Sequence, residues 1–212
     1  MGATGGDRPT PIPAEFQEVE WVQPSGNVVL SFDLKLPKDA LTVTGKTEFT
    51  PDVTARYLFA DRDTGGVRFC ILANSEKTFR CYSGIFAETG ELSLDPHLIN
   101  FTAEISKPVQ SGTGNTDGTI RLFGDADGIS FDESNSGKIR SFGNNNIQLF
   151  GITGVSNTNY TGKMIGRLIV FTNQLVYAFV PCYRIADSAI GIYEAVTGEF
   201  RSSAKLIKGA DA

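Results

Sequence analysis

The sequence predicts an all-β fold, a sandwich or barrel of antiparallel strands. Short runs of Val, Ile, Phe, Tyr and Thr recur along the chain, and many alternate with polar residues. Turn-forming Gly, Asn, Asp and Pro bound these runs, and the 23 glycines are spread between them. No long segment has the helical period of 3.6 residues. About ten strands without a long helix are typical of a β-sandwich or barrel.

The first strands are predicted by strict alternation. Glu18–Gln23 alternates acidic or polar side chains with apolar ones, and so does Asn27–Leu36. In the second segment Val28, Leu30, Phe32 and Leu34 lie opposite Val29, Ser31, Asp33 and Lys35. Because successive side chains of a strand point to opposite faces, this pattern predicts one buried face and one more polar face.

Eight further runs, given at the end of this paragraph, predict the remaining strands of the sheets. Two short segments, residues 38–41 and 187–193, have a brief helical pattern. Residues 108–118 and 134–146 are predicted as long polar loops. The runs read, in chain order, ARYLFAD, VRFCILA, TFRCYSG, INFTAEIS, GTIRLFGD, IQLFGIT, MIGRLIVFTN and LVYAFVPCYR.

Length and charge define the domain organisation and exclude some partners. In the 212-residue chain, residues 1–11 are predicted as a flexible leader or linker and residues 12–212 as one domain. The net charge of −5 argues against nucleic acid and anionic membrane surfaces, since both attract positive charge. No apolar run approaches the roughly 18 residues that predict membrane insertion.

Three cysteines are too few for a disulfide scaffold. Cys70 and Cys81 lie in two alternating runs, and a hairpin that turns near Ser75 and Glu76 would place their thiols face to face. Two half-buried thiols are the preferred interpretation, and a disulfide is the alternative. Cys182, after Pro181, is predicted to be a small buried apolar residue.

Motifs at the two ends of the chain carry a family resemblance. Ile12–Leu34 and the closing segment GKMIGRLIVFTNQLVYAFVPCYRIADSAIGIYEAVTGEF resemble the entry and closing motifs of laminin-G/concanavalin A-like jelly-roll modules, which occur in gut-bacterial surface proteins and bacteriophage virion proteins. The resemblance implies a jelly-roll β-sandwich of two antiparallel sheets. In this chain Glu194 replaces a common aspartate of the motif. The matching residues are Pro13, Phe16, Val19, Glu20, Trp21, Ser25 and Gly26, then Phe179, Pro181, Cys182, Gly191, Tyr193, Gly198 and Phe200.

Residues for catalysis are sparse, and the sequence predicts that the protein is not an enzyme. A Ser-His-Asp arrangement would depend wholly on His97, the single histidine. Glucanases of this fold resemble each other in a Glu-x-Asp-x-x-Glu strand that brings two carboxylates to the sugar bond. Glu18 and Glu20 are the nearest counterpart, but no third acid follows them. They are interpreted as solvent-facing acids.

A cluster of acids suggests one cofactor, calcium. Asp125, Asp127 and Asp132 lie within eight residues around a turn, and Ca²⁺ prefers carboxylate oxygens. The flanking strands and the early Gly128 do not match an EF-hand loop. The alternative is an ordinary Asp-x-Asp-Gly turn without metal.

Two groups of residues are candidates for ligand binding. Asp61, Arg62, Asp63 and Arg68 surround a Gly-Gly turn and could present polar groups to a glycan; a solvated hairpin tip with ion pairs is the alternative. Three tyrosines beside turn formers or strand ends could stack on sugars, although any of them could equally belong to the core. They are Tyr82, Tyr160 and Tyr183.

The resemblance and the lack of an apolar export signal together imply a non-catalytic bacteriophage virion protein. It would assemble in the host cytoplasm as a head decoration or a tail or fibre component. Its partners would be other virion or surface proteins, further copies of itself, and host-surface or mucosal glycans. The alternative is a carbohydrate-binding domain of a bacterial cell-surface or secreted protein. A glycoside hydrolase of the same fold and a purely structural protein without ligand are the remaining hypotheses.

Overall fold

A computed structural model describes residues 10–52, 54–63, 66–106, 115–141 and 145–212. They form a jelly-roll β-sandwich of two antiparallel sheets, as the sequence predicts. The strands are β1 Phe16–Glu18, β2 Trp21–Pro24, β3 Leu30–Lys35, β4 Leu41–Phe49, β5 Arg56–Asp63, β6 Gly66–Ala73, β7 Phe79–Tyr82, β8 Phe86–Glu88, β9 His97–Ile105, β10 Asn115–Ala126, β11 Ile129–Arg140, β12 Asn146–Leu149, β13 Lys163–Phe171, β14 Leu175–Arg184, β15 Ala189–Glu194, β16 Glu199–Ser202 and β17 Leu206–Lys208.

The larger sheet has the strand order β11-β10-β9-β4-β13-β14-β15-β16. Three short strands from the chain ends join it, because β1 pairs with β14, β2 with β13, and β17 with β2. The smaller sheet has the order β3-β12-β5-β6-β7-β8. Both sheets mix strands that are distant in sequence, so neither can form from one local segment.

The core lies between the two sheets and is dominated by phenylalanine. Phe32 and Phe59 of the smaller sheet contact Phe179 of the larger sheet, with ring centroids 5.1 and 6.2 Å apart. Phe79 meets Phe101 in the same way at 5.1 Å. All five are buried, as the alternating pattern of their strands predicts.

The entry and closing segments pack on each other against the outer face of the larger sheet. Phe16 lies 4.8 Å from both Tyr193 and Phe200, measured between ring centroids. Gly191 is required beneath Phe200, because a Cβ there would lie 2.7 Å from the ring. These residues serve packing.

Glu194 shapes the tight turn between β15 and β16. Its carboxylate is completely buried and accepts hydrogen bonds from the N–H groups of Ala178, Val196 and Thr197 and from the Thr197 hydroxyl, at 2.7–3.1 Å. Four donors compensate the loss of water around a buried carboxylate.

Three local predictions are wrong. Residues 38–41 and 187–193 are not helical: the first is a bend entering β4, and most of the second is β15. The predicted polar loops are largely strand where they are described, since β10 begins at Asn115 and β11 continues to Arg140. β11 is an edge strand exposed along most of its length, so polar residues suffice on both of its faces.

Cys70 and Cys81 do not face each other. The hairpin turns at Ser75 and Glu76 as predicted, but its register pairs Cys70 with Tyr82 and Cys81 with Ile71. A shift of one residue places the two thiols on opposite faces of the sheet. All three cysteines are buried and free.

Among the described residues, no helix has the length and apolar character needed to cross a bilayer. Most of the predicted leader lies outside these residues. Thr10 is described, and its carbonyl oxygen accepts a hydrogen bond from Arg167 at 3.0 Å.

Candidate functional site

The outer face of the smaller sheet carries a concave site of about 330 Å³, which we call the tyrosine depression. Strand register places its central side chains in two adjacent rows across β5 to β8. One row is Tyr57, Leu72, Arg80 and Glu88, and the other is Ala60, Cys70, Tyr82 and Phe86. The residues that line the depression are Ala55, Tyr57, Val67, Cys70, Leu72, Asn74, Arg80, Tyr82 and Arg140.

Small apolar side chains form the floor of the tyrosine depression. Cys70 and Leu72 are 2% and 5% exposed and pack with Ala60 and Ile152 in a cluster separate from the main core. Burial raises the pKa of the Cys70 thiol well above its ordinary value, an effect that Arg80 and Arg140 partly oppose. The Cys70 thiol is therefore neutral at physiological pH, and it lies in the field of two guanidinium groups.

The two tyrosines are half-buried on either side of this floor. Tyr82 lies directly across from Cys70, and Tyr57 lies directly across from Leu72. Burial is the largest cause that raises the pKa of Tyr57, so its phenol is neutral at physiological pH. Two aromatic rings beside an apolar floor can stack on a ligand that has an apolar face.

Two glutamates and a phenylalanine at the rim of the tyrosine depression hold Arg80 in place. Its guanidinium donates to Glu88 Oε2 at 2.7 Å and to Glu76 Oε2 at 2.8 Å, and it lies 4.1 Å from the centroid of the Phe86 ring. Asn74 Nδ2 donates to the same Glu76 oxygen at 3.2 Å. These contacts fix the polar side of the depression before any ligand binds.

Arg140 closes another side and comes from the larger sheet. The last residue of β11 reaches the smaller sheet because the Arg140 N–H donates to the Ser83 carbonyl oxygen at 2.9 Å. Its Nη1 donates to the Val67 carbonyl oxygen at 2.6 Å, and the guanidinium carbon lies 5.5 Å from the centroid of the Tyr82 ring. The depression therefore forms only when both sheets are assembled.

The segment between β12 and β13 covers the neighbouring part of this face. Tyr57 N–H donates to the Thr158 carbonyl oxygen at 3.1 Å, and Ile152 and Val155 pack on the apolar cluster under the depression. Arg62 Nη1 donates to the Thr153 carbonyl oxygen at 2.7 Å. Because this segment covers the neighbouring surface, the open part of the tyrosine depression lies between Tyr57 and Arg140.

The three candidate tyrosines lie in three different environments. Tyr82 lines the tyrosine depression. Tyr183 lies on β14 of the other sheet, where Lys208 Nζ is 4.5 Å from its ring centroid. The prediction for Tyr160 is wrong: its side chain is 0% exposed, and its hydroxyl lies 2.6 Å from Thr47 Oγ1 in the core. A ring with no accessible surface cannot stack on a sugar.

The described charged side chains around the β5–β6 turn lie in different environments. Asp61 is completely buried and accepts a hydrogen bond from Asn145 Nδ2 at 2.8 Å, so its prediction as a surface ligand residue is wrong. Arg62 donates to the Thr153 carbonyl oxygen in the segment between β12 and β13. Arg68 is half-buried on β6. Asp63 ends β5, and its side chain lies outside what the structure describes.

The three candidate calcium ligands each have a protein donor instead. Asp125 accepts from Asn100 Nδ2 and the Gly128 N–H, Asp127 from the Leu98 N–H and His97, and Asp132 from Arg121. Within the described ranges, no three His, Cys, Asp or Glu side chains converge closely enough to hold a metal ion. The structure therefore does not bring these three carboxylates together as one cation site.

A hydrogen-bonded chain of Ser93, His97 and Asp127 joins a loop to the β10–β11 turn. His97 Nδ1 lies 2.6 Å from Asp127 Oδ2, and its Nε2 lies 3.2 Å from Ser93 Oγ. Ser93 Oγ also lies 3.1 Å from Asp95 Oδ2 and accepts from the Asp95 N–H at 3.4 Å. A carboxylate that competes for the serine hydroxyl indicates a loop anchor rather than an activated nucleophile.

The acids considered for glycoside hydrolysis lie in different surroundings. Both carboxylate oxygens of Glu18 accept hydrogen bonds from Arg167, at 3.0 and 2.8 Å. Glu20 follows β1 and is exposed. Glu18 is therefore engaged in a two-point ion pair with Arg167 within the protein.

A second concave surface, which we call the open depression, lies on the larger sheet. Its volume is larger than that of the tyrosine depression, at about 450 Å³, and it is more open to solvent. Its aromatic residue Phe123 already stacks with Arg121, at 4.3 Å from guanidinium carbon to ring centroid, and Arg167 on its edge holds Glu18. Both groups are therefore already engaged within the protein.

No protein-family model matches the sequence, and no curated protein matches it significantly. Among solved structures, the chain is similar to a native heptameric SAP-like pentraxin from Limulus polyphemus, at 14% identity and a TM-score of 0.45. The match covers 92% of this chain and 96% of the pentraxin chain. A likeness at this level gives no information about ligands.

Proposed function

We propose that this chain is a non-catalytic glycan-binding module and that the tyrosine depression is its binding site. The observation that supports it is the arrangement of Tyr57 and Tyr82 beside the floor of Cys70 and Leu72. A sugar ring has an apolar face of C–H groups that fits such a surface, while its hydroxyl groups need fixed polar partners at the rim.

The rim supplies these polar partners. Arg80 and Asn74 are each held by Glu76, and Arg140 is held by the Val67 carbonyl oxygen. Because these side chains are already positioned, a bound sugar does not bear the entropic cost of ordering them. A small site with an aromatic surface and a few positioned polar groups is typical of small-molecule recognition.

A glycan array tests the proposal, with Tyr82→Ala as the diagnostic variant. We expect the unmodified protein to bind at least one class of glycan and Tyr82→Ala to lose at least about fivefold in affinity, since stacking of a nucleic-acid base on an aromatic side chain contributes about 1–3 kcal/mol. Tyr82→Phe keeps the ring and should retain most of the binding.

Tyr183→Ala is the matched control, since Tyr183 is also half-buried and also contacts a cation, but lies on the other sheet. Thermal unfolding establishes that each variant is folded. Equal loss of binding in Tyr82→Ala and Tyr183→Ala, or a silent array with folded protein, would contradict the proposal.

We further propose that the module is displayed on a bacteriophage particle, as a head decoration or a tail or fibre component. The resemblance of Ile12–Leu34 and of the closing segment to jelly-roll virion modules supports this. A carbohydrate-binding domain of a bacterial surface protein is the alternative. Mass spectrometry of purified particles from the source distinguishes the two, since absence of the chain from the particles excludes the virion role.

A further inference from the structure

The charges around the tyrosine depression indicate which class of glycan it binds; this step rests on the proposed function. Two arginines line the depression, and no Asp or Glu among the described residues does. The chain as a whole carries a net charge of −5, so this positive lining is a local feature. A positive site on an acidic protein favours an anionic ligand.

The two arginines differ in how far their charge is compensated. Arg80 forms ion pairs with both Glu76 and Glu88, at 2.8 and 2.6 Å, so it contributes fixed donors and little net charge. Arg140 contacts a backbone carbonyl group and the Tyr82 ring, and no carboxylate of the described residues lies within ion-pair distance of it. Among the described residues, the positive charge of the depression that no carboxylate compensates is therefore that of Arg140.

The position of the Arg140 guanidinium also suits the binding of an anionic group. Its Nη1 is anchored to the Val67 carbonyl oxygen, which leaves other N–H groups for a ligand beside the Tyr82 ring. A planar guanidinium can bind a carboxylate or a sulfate group through two parallel hydrogen bonds. Charge-assisted hydrogen bonds at a half-buried site are stronger than those to neutral hydroxyl groups.

The size of the site limits the ligand further. A volume of about 330 Å³ lies near the lower end of the range for small-molecule sites. It suits the terminal residue of a glycan better than the interior of a long chain. We infer that the tyrosine depression binds a terminal acidic sugar, whose ring stacks on Tyr82 and whose carboxylate or sulfate group pairs with Arg140.

Matched pairs of sugars test this inference. One pair is a terminal uronic acid and its methyl ester, and the second is a sulfated sugar and the unsulfated sugar. By isothermal titration at low salt, we expect at least one acidic member to bind at least about tenfold more tightly than its neutral partner. The pair that shows this preference identifies the anionic group. Added salt should reduce the preference.

Arg140→Gln separates the charge from the stacking surface. We expect it to remove the preference, so that the acidic sugar binds no more tightly than its neutral partner. Arg121→Gln is the matched control, because Arg121 also stacks on a ring, that of Phe123, but lies on the other sheet. It should keep the preference.

The possible failures are distinguishable. If neutral and acidic sugars bind equally and both depend on Tyr82, the inference is wrong and the glycan-binding proposal stands. If neither member of either pair binds and the array is silent, the proposed function fails with it. If Arg140→Gln and Arg121→Gln lose the preference equally, the acidic site lies elsewhere.

Discussion

Phe16 in the first strand and Phe200 near the end of the chain stack with ring centroids 4.8 Å apart. Both lie on the outer face of the larger sheet, where Phe16 also meets Tyr193. Two segments separated by most of the sequence therefore close the fold together. Since this contact joins β1 to β16, it should contribute to global stability rather than only to the order of the chain end.

Phe16→Ala should reduce the free energy of unfolding by about 3 kcal/mol, which is the lower end of the range for replacing a buried phenylalanine with alanine. Urea unfolding followed by fluorescence measures the change. Phe86→Ala is the control, because Phe86 is 40% exposed and should cost less than about 1 kcal/mol. A loss for Phe16→Ala no larger than for the control would contradict this interpretation.

Tyr160→Phe should destabilise the protein slightly without changing glycan binding. The Thr47 hydroxyl donates to the Lys163 carbonyl oxygen at 2.6 Å, so the Tyr160 hydroxyl donates to Thr47 Oγ1. Losing one buried hydrogen bond costs about 1 kcal/mol. Urea unfolding and the glycan array measure the two effects. Reduced sugar binding by a folded Tyr160→Phe protein would show that the core and the site are coupled.

Asp187 should give a pH-dependent contribution to stability. The Arg184 guanidinium, with help from the Ala189 N–H, lowers the pKa of Asp187 from its ordinary 3.8 to about 2. A carboxyl group whose pKa is lowered by folding stabilises the folded state above pH 3.8, and the contribution is lost as the pH falls through about 2. Asp187→Asn should therefore be less stable than the unmodified protein at pH 7.

Urea unfolding of Asp187→Asn and the unmodified protein at several pH values tests this. The difference between the two should shrink as the pH falls below 3.8. NMR titration of the Asp187 carboxyl carbon should give a midpoint of about 2. A difference that stays constant down to about pH 2 would show that the substitution disturbs the turn itself.

The three thiols should be unreactive in the native protein. All are buried, and burial raises the pKa of the Cys182 thiol from its ordinary 9.0 to about 12. Ellman's reagent at pH 8 should therefore label none of them quickly, and all three after unfolding in guanidinium. Because a raised thiol pKa stabilises the folded state below pH 9 and this contribution is lost towards pH 12, stability should fall in that range. Fast labelling of one native thiol would contradict the burial.

Ser93 should not act as a nucleophile, despite its contact with His97. A fluorophosphonate probe should leave Ser93 unmodified, and p-nitrophenyl acetate should be hydrolysed at the same rate by the protein and by Ser93→Ala. His97→Asn should instead lower stability, because it removes the anchor of the β10–β11 turn. Stoichiometric labelling of Ser93 that is lost in His97→Asn would contradict the non-catalytic proposal.

The sequence predicts the fold well because alternation is a local signal. In β3, Leu30 and Phe32 are buried and Ser31 and Asp33 are exposed, as their order indicates. β11 has no such signal, since an edge strand in solvent needs no apolar face. The cysteine register was missed for a related reason: a turn that differs by one residue reverses which face each thiol takes.

The site is only partly visible in the sequence. Tyr82 could be predicted from its place beside a turn, but Arg140 joins it from the end of a distant strand through the contact with Ser83. Tyr57 enters by strand pairing that no local pattern reveals. Tyr160 has polar neighbours in the sequence, which predicts an exposed side chain. Its hydroxyl instead forms a buried hydrogen bond with Thr47, which is 113 residues away in the sequence.

The most direct test of the central proposal is a crystal structure of the protein with a glycan that the array identifies. We expect a sugar ring against Tyr82, between Tyr57 and Arg140. A sugar bound in the open depression of the larger sheet, beside Lys46 and Phe123, with the tyrosine depression empty, would contradict it.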